Sequence, residues 1–423
     1  MPNTLTWANT LTSLFLAALA IATLTRLWLA QRQLRHVRAH RDAVPRSFSG
    51  SIALSAHQKA ADYTSAKTRL GMVDVLINAA TLLVFTLGGL LQWLAEAWSR
   101  AFAAGSIAHG TALLLSIVLI QSLIALPLAA YRTFGIEARF GFNRMTVRLF
   151  IADLVKHTLV GLALGVPLLI AVLWLMGKMG AYWWLYVWLV WVGYSAVLVM
   201  LYPALIMPLF NKFTPITEGE LAARVARLLE RCGFKSNGLF LMDGSKRSSH
   251  GNAFFTGFGA AKRIVLFDTL VSRLQPPEVE AVLAHELGHY RLHHIAKQMV
   301  LSAAISLAVL WLLGQLIDRD WFYSGLGVRT PSPAAALALF MMVLPEFLFF
   351  LQPLTSRYSR RREYEADAYA VSHASSEELV RALVKLYQDN AATLTPDPLH
   401  SAFYDSHPPA AMRIARLAEL RSS

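Results

Sequence analysis

The sequence contains a single cysteine, Cys232, among 423 residues. One cysteine excludes a disulfide framework within the chain and any metal site built from several cysteine thiolates. The amphipathic helical pattern around Cys232 favours a small core residue over a reactive nucleophile for this thiol. Any metal chemistry in the chain must therefore come from histidine and carboxylate side chains.

Charged residues are also scarce, at 15% of the chain, whereas an ordinary soluble domain carries about 25%. Hydrophobic residues make up 56%, and the 11 Trp and 22 Phe suit lipid-facing helices and interfacial belts. Acidic residues are fewer than basic residues, so the formal net charge is +13. The basic residues lie between apolar runs, which predicts juxtamembrane charges that touch anionic lipid rather than a nucleic-acid interface.

Seven apolar runs are long enough to cross a bilayer, which requires roughly 20 residues. The first is predicted to be a retained helix rather than a cleaved signal. The connections that follow the first and third runs are rich in arginine and lysine and are therefore predicted to be cytoplasmic, with the N-terminus outside. The runs cover about 9–30, 72–96, 106–130, 158–178, 181–205, 296–317 and 334–354.

This alternation divides the chain into four segments and places both non-membrane segments on the cytoplasmic side. The segments are 1–210 with five spans, 211–295 outside the membrane, 296–354 with two spans, and 355–423 outside the membrane.

Local patterns predict the elements of the two non-membrane segments. The last segment is predicted as two helical stretches separated by a polar stretch at 390–409. In the earlier segment we expect a helix at 218–232, strands at 238–242 and 263–267, and a second helix from Pro277, whose first turn carries two acids.

The helix from Pro277 contains the sequence HELGH at positions 285–289. Histidines four residues apart share one helix face, so the imidazoles of His285 and His289 can reach the same metal ion. Glu286 lies beside them, where its carboxylate can take a proton from an attacking water. The spacing predicts a zinc hydrolase, against the alternative of a helix with two hydrogen-bonded histidines.

A catalytic zinc takes three protein ligands and leaves one position open. Leu292 and Ile295 occupy the positions where a metzincin requires Gly and His, which excludes that class. A later helix offers Glu363 and Glu365, which point about 200° apart, so only one can face the metal and periodicity does not choose. Asp367, one turn beyond Glu363, can accept the spare N–H of a ligand histidine.

These and other segments resemble the type I CAAX prenyl proteases, membrane-embedded zinc endopeptidases of the gluzincin class. The resemblance extends over nearly the whole chain. The segments that carry it are LRHVRAHRDAVP (34–45), HQKAADYTSAKT (57–68), FGFNRMT (140–146), YPALIMPLFNKFTPI (202–216), SSHGNAFFTGFGAAKRIVLFDTLV (248–271), HELGHY (285–290), SRRREYEADAYA (359–370) and SHPPAAMR (406–413).

The resemblance implies a mostly α-helical polytopic membrane protein, in which seven transmembrane helices enclose a water-filled chamber. A cytoplasmic-side zincin-like region with a small β-sheet completes the expected fold. The resemblance also implies one Zn2+ per chain, held by His285, His289 and Glu363 rather than Glu365, with Asp367 behind His285.

Further roles rest on the resemblance. Asn252 and Ala253 are expected on an edge strand that holds the substrate extended, although their local pattern alone favours a polar turn. His407 is expected to act in catalysis with Glu286 by stabilising the oxyanion. Arg413 is expected to pair with nearby acids or with the substrate carboxylate.

Several ionisable residues receive no assigned chemistry. An acid within a span is costly in lipid, so Glu346 is expected to face the chamber or to pair with a neighbouring helix. His109, His250, His293 and His294 receive no metal role.

The resemblance implies removal of the C-terminal tripeptide from prenylated CAAX proteins or peptides. The expected partners are a lipidated substrate and membrane lipid. The alternatives are a quality-control metalloprotease of the heat-shock type, which typically has about four spans, and a catalytically silent scaffold. A short loop at 318–333 and the absence of a retrieval signal after Leu420 favour a bacterial inner membrane over the endoplasmic reticulum.

Overall fold

The structure is a computed structural model that describes residues 2–256 and 263–422. Residues 257–262, part of the segment 248–271 quoted above, lie outside the described residues. Within the described part of the chain most residues are helical, and a small sheet accompanies the helices. The mostly α-helical fold class is therefore confirmed.

The first half of the chain is almost entirely helical. Its helices are α1 (Pro2–Ala39), α2 (Leu54–Phe85), α3 (Leu90–Trp98), α4 (Ile107–Ala130), α5 (Val147–Lys178) and α6 (Trp183–Leu201).

Shorter helices and the strands lie in the second half. The helices there are α7 (Glu220–Arg231), α8 (Asp268–Val271), α9 (Pro276–Arg291), α10 (His294–Leu316), α11 (Asp320–Ser324), α12 (Pro333–Leu348), α13 (Gln352–His373), α14 (Ser376–Asp389), α15 (Pro398–Tyr404) and α16 (Ala410–Ser422). The strands are β1 (Phe213–Pro215), β2 (Leu239–Met242), β3 (Ala253–Thr256) and β4 (Arg263–Phe267).

Seven helical segments of the described chain are long and apolar enough to span a membrane, which confirms the predicted number. The segments begin with α1, α2, α4, α5, α6, α10 and α12, and several continue well beyond the apolar run. The last segment, Pro333–His373, continues from α12 through a short 3-10 turn into α13. The last membrane span therefore continues directly into α13, the helix that contains Glu363.

The predicted second span, 72–96, is wrong at both ends. Helix α2 begins at Leu54, because a polar amphipathic stretch continues the apolar run as one helix. It ends at Phe85, and Gly89 then adopts a φ of +78° before α3 starts. A Cβ on Gly88 would lie 2.8 Å from the backbone of Val84, so glycine permits this tight reversal. Hydropathy alone does not register such a break.

The sheet has the strand order β1-β2-β4-β3. Strands β2 and β4 are parallel, while β1 and β3 pair antiparallel on the two sides. The strands predicted at 238–242 and 263–267 correspond to β2 and β4. The local pattern missed β1 and β3, which contain only 3 and 4 residues.

The predicted polar stretch 390–409 contains a helix that the pattern missed, α15. The Asp397 side chain caps it by accepting hydrogen bonds from the backbone N–H groups of Leu399 and His400 at 3.1 and 2.9 Å. Pro398 occupies the first turn, where its missing N–H costs no hydrogen bond.

The two largest apolar clusters of the described residues hold most of these elements. A large apolar cluster joins the membrane helices at one end and includes Phe15, Phe85, Leu113 and Leu339. A second cluster packs α7, α9 and α14 against the sheet, so the segments before and after the last two spans fold as one unit. The site described below lies in that unit.

A cavity of about 870 Å³ lies among α2, α4, α5, α6, α10 and α12. Glu346 lines this chamber and also pairs with Arg26 of α1, whose Nη1 lies 2.6 Å from its Oε2. Glu346 therefore both faces the chamber and pairs with a neighbouring helix, the two alternatives that the sequence left open. The pair ties the first helix to the last span and compensates a charge that lipid would penalise.

Candidate active site

Helix α9 contains the HELGH sequence, and the residues at its start favour helix initiation. Pro276 occupies the first turn, and Gln275 and Glu278 form a reciprocal capping box. Lys385 of α14 lies 2.7 Å from the Glu278 carboxylate, which fixes this helix start against its neighbour. Most of α9 is buried in the second core, so its histidines project from a rigid element.

Gly288 lets α9 and α13 approach closely. A Cβ at this position would lie 3.0 Å from both the Cα and the carbonyl oxygen of Ala366. That is tighter than a side chain tolerates without a shift of the backbone. The glycine within HELGH therefore sets the distance between the helix that carries the two histidines and the helix that carries Glu363.

Three candidate metal ligands converge at this contact. His285 Nε2 lies 3.2 Å from His289 Nε2 and 3.5 Å from Glu363 Oε2. His289 Nε2 lies 3.3 Å from Glu363 Oε1. Ligand atoms bound tetrahedrally at the usual Zn–N and Zn–O distances would be about 3.3 Å apart. The spacing of the three groups therefore fits one zinc ion.

The hydrogen-bonding state of the three side chains also favours a bound metal ion. Glu363 Oε2 is buried and has no hydrogen-bond partner among the described residues. A buried carboxylate oxygen without a donor is costly unless a cation occupies its lone pairs. The two imidazoles direct nitrogen atoms at the same point. Histidine and carboxylate ligands in this number match a catalytic zinc site with one open position.

Asp367 and Arg413 lie behind His285. Asp367 Oδ1 is 2.8 Å from His285 Nδ1, so it can hold the ring with Nε2 toward the metal position. Arg413 donates from Nε and Nη2 to the two oxygens of Asp367, both at 2.7 Å. The Arg413 side chain is 6% exposed, and its contact here is with the acid Asp367, which is one of the two expected roles.

Glu286 and His407 lie at the candidate metal site without joining the ligand trio. Desolvation by the surrounding protein raises the pKa of the Glu286 carboxyl above its ordinary value, which makes it a stronger base. His407 Nε2 lies 3.4 Å from Glu363 Oε2, and its side chain is 63% exposed. Partial desolvation lowers the pKa of the His407 imidazole, which favours the neutral ring.

Sequence reasoning missed a hydrogen-bonded chain behind His289. His289 Nδ1 lies 3.0 Å from His294 Nδ1, and His294 Nε2 lies 3.1 Å from Glu365 Oε2. Arg361 donates to the other Glu365 oxygen at 3.0 Å. Glu365, the alternative third ligand, thus contacts His294 rather than the trio. The His-His pair at 293–294 was the available signal, but spacing did not reveal its direction.

The sheet edge at β3 is open on one side, because β3 pairs only with β4 among the described strands. The Phe267 N–H donates to the Asn252 carbonyl at 3.0 Å, so the backbone groups of Asn252 face β4. Alternate residues face opposite ways, which directs the backbone of Ala253 to the open edge. Asn252 Oδ1 accepts a hydrogen bond from the Ala253 N–H at 2.8 Å.

His109 and His250 have structural partners, and His293 occupies a special backbone position before α10. His109 Nε2 lies 2.9 Å from the Ala95 carbonyl, and the His250 ring stacks on Phe142 with centroids 4.5 Å apart. His293 has a φ of +57° and precedes α10. The structure brings none of these three to the ligand trio.

The fold and the site together define a class: a polytopic membrane protein with the His/His/Glu site of a metallopeptidase. Two family models match the chain, "CAAX prenyl protease N-terminal, five membrane helices" over residues 33–212 and "Peptidase family M48" over residues 215–421. The chain therefore belongs to the type I CAAX prenyl protease family and is an integral-membrane metalloendopeptidase.

Individual relatives agree with this assignment. The CAAX prenyl protease 1 homolog of Arabidopsis thaliana is 33% identical over 383 residues, covering 88% of this chain and 89% of the relative. The CAAX prenyl protease 1 of Saccharomyces cerevisiae is 33% identical over 389 residues, or 85% of each chain. The crystal structure of S. mikatae Ste24p matches with a TM-score of 0.89 at 31% identity, covering 97% of this chain and 99% of that one.

Proposed function

We propose that this metalloendopeptidase uses one zinc ion to remove the C-terminal tripeptide of prenylated CAAX proteins or peptides. The observation that carries the proposal is the convergence of His285, His289 and Glu363 on one point, with ligand atoms all within 4.8 Å of one another. The relatives named as CAAX prenyl proteases support the substrate class.

The proposed mechanism assigns each side chain a separate task. When bound by the ligand trio, zinc supplies a Lewis acid that lowers the pKa of water and polarises a carbonyl. Glu286 accepts the proton of the attacking water and later delivers it to the leaving amine. Neutral His407 donates an N–H to the developing oxyanion. Asp367 holds His285 in the orientation that ligation needs.

The open edge of β3 is proposed as the binding site for the substrate backbone. An extended peptide can add to this edge through the outward carbonyl of Ala253, and it would compete with Asn252 Oδ1 for the Ala253 N–H. The prenyl chain would lie against the apolar side chains that line the chamber, so binding would not require its full exposure to water. The basic connections that follow α1 and α4 support a cytoplasmic orientation for the active site.

We expect detergent-purified protein to cleave a farnesylated CAAX peptide and release its last three residues. A chelator should abolish cleavage and added Zn2+ should restore it, because the trio loses its ion and regains it. Mass spectrometry of the products locates the cleaved bond. The matched control is the same peptide without the farnesyl group, which should be cleaved more slowly.

Failure of the zinc-loaded protein to cleave the farnesylated peptide would contradict the proposed substrate class. If an unlipidated membrane peptide were then cleaved with the same zinc dependence, the metalloendopeptidase site would stand with a different substrate. Absence of zinc-dependent cleavage of either peptide would instead favour the silent scaffold.

The chain from His289 through His294 to Glu365 gives a second expectation. The Nδ1–H of His289 can donate to His294, whose Nε2–H then donates to Glu365, so His294 orients the second ligand histidine. His294→Ala is expected to weaken zinc binding by about 10–100-fold. Competition with a chromophoric chelator measures this affinity independently of activity.

The adjacent exposed His293 provides the matched control. His293→Asn removes an imidazole one position away and keeps a residue that tolerates positive φ. Its zinc affinity should equal that of the wild type. Unchanged affinity in folded His294→Ala would show that His294 only fills space behind His289.

A further inference from the structure

A basic pocket of about 900 Å³ lies beside the middle of α13. The end of α1, the segment before α15, and α16 complete its walls. Residues of α13 that line it, such as Arg361 and Ala368, point roughly 150° away from Glu363 around the helix. The pocket therefore lies on a different face of α13 from Glu363, although Glu365 and Arg361, at the end of the chain behind His289, also line it.

Positive charge dominates the lining. Four arginines contribute to it: Arg357, Arg360, Arg361 and Arg416. Glu365 is the acid among the lining residues, and its two oxygens are held by Arg361 at 3.0 Å and by His294 at 3.1 Å. The pocket therefore carries an excess of cationic groups over carboxylates.

Two of these arginines have donors available for a ligand. Arg357 is exposed and forms no ion pair or side-chain hydrogen bond with the described residues. Arg416 lies over the Tyr364 ring at 4.5 Å, and its N–H groups form no ion pair with an acid of the described residues. Arg360 instead donates to the carbonyls of Ser401 and Asp405 at 3.1 and 2.8 Å, which stabilises the pocket wall.

The pocket begins where the lipid-facing surface ends. Leu351 and Leu354 are 51% and 64% exposed on the same run of helix, as expected for side chains in contact with acyl chains. Arg357 follows Leu354 by three residues, about 4.5 Å along the helix axis. On α1, Trp28 is 52% exposed, as interfacial tryptophans are, and lies two turns before His36 in the pocket wall.

We infer that this pocket binds the headgroup of an anionic phospholipid from the adjacent leaflet. Its phosphate would accept hydrogen bonds from Arg357 and Arg416, because guanidinium groups match phosphate oxygens in charge and geometry. The glycerol region would lie against the apolar wall, which includes Pro398 and the exposed Met412. The acyl chains would then run along the surface that Leu354 presents.

The test titrates the purified full-length protein in an uncharged detergent with three soluble probes. The probes are dihexanoyl phosphatidylglycerol, dihexanoyl phosphatidylcholine and glycerol phosphate, and thermophoresis measures binding. Phosphatidylglycerol should bind at least tenfold more tightly than the other two. The double variant Arg357→Gln/Arg416→Gln should lower its affinity about 30-fold, since each arginine near an anionic lipid contributes about a factor of five.

The control carries the same loss of charge elsewhere. Arg144 and Arg148 are exposed juxtamembrane residues outside the pocket, and Arg144→Gln/Arg148→Gln should retain wild-type affinity. If the pocket double variant melts at a lower temperature, Arg357→Gln alone should still weaken binding about fivefold, because Arg357 has no partner to lose.

Three results would overturn the inference. Equal binding of phosphatidylcholine would remove the requirement for net negative charge. Equal binding of glycerol phosphate would identify a site for free phosphate rather than lipid. Equal loss in the two double variants would show general attraction to a basic surface instead of a defined pocket.

Discussion

Glu286→Gln is expected to lower kcat for peptide cleavage by about a thousandfold, within the 10²–10⁴-fold range of general acid–base catalysis. Glutamine has nearly the same shape but cannot accept the proton of the attacking water. Burial raises the pKa of the native carboxyl, and the neutral amide of glutamine has no comparable basicity at any pH. Single-turnover cleavage of a farnesylated CAAX peptide measures the chemical step directly.

Zinc content separates loss of the base from loss of the metal. Glu286 does not belong to the trio of His285, His289 and Glu363, so Glu286→Gln should retain one zinc per chain. Glu280→Gln makes the same chemical change on α9, at a residue whose carboxylate pairs with Arg231 at 2.6 Å. This control should keep kcat near the wild-type value. Wild-type cleavage by zinc-loaded Glu286→Gln would contradict the assigned base.

The spacing of the HELGH sequence was sufficient to predict two ligands and a base, because i and i+4 positions meet on one helix face. The third ligand could not be predicted from helix periodicity alone. Glu363 and Glu365 lie on the same helix, and only the rotation of α13 relative to α9 decides which one faces the metal. That rotation depends on the close contact of Gly288 with Ala366, which is a tertiary contact that neither segment reveals alone.

Seven spans could also be counted from hydropathy, but their ends could not. Helix α2 is one continuous helix from Leu54, although its first turns are polar. Its backbone hydrogen bonds form within the helix, so they do not depend on whether water or lipid surrounds it. Short strands such as β3 could not be predicted from the local pattern either. Four residues give too few alternations to separate a strand from a turn, and pairing with β4 creates the strand.

Arg413→Leu is expected to lower stability by about 3–5 kcal/mol, because it leaves Asp367 buried without its bidentate partner. Both side chains are nearly inaccessible, at 6% and 2% exposure. The measurement is the melting temperature of the metal-free protein in detergent, which should fall by several degrees. Arg357→Leu makes the same change at an exposed arginine that has no ion pair among the described residues, and it should leave the melting temperature unchanged.

A double variant separates charge compensation from orientation of the ligand. Arg413→Leu/Asp367→Leu removes both charges, so it should regain much of the melting temperature lost in Arg413→Leu. Zinc affinity should nevertheless remain at least tenfold below the wild type, because no carboxylate then accepts the Nδ1–H of His285. Wild-type zinc affinity in the double variant would show that His285 is oriented by packing alone. A melting temperature no higher than that of Arg413→Leu would show that the pair contributes shape rather than compensating charge.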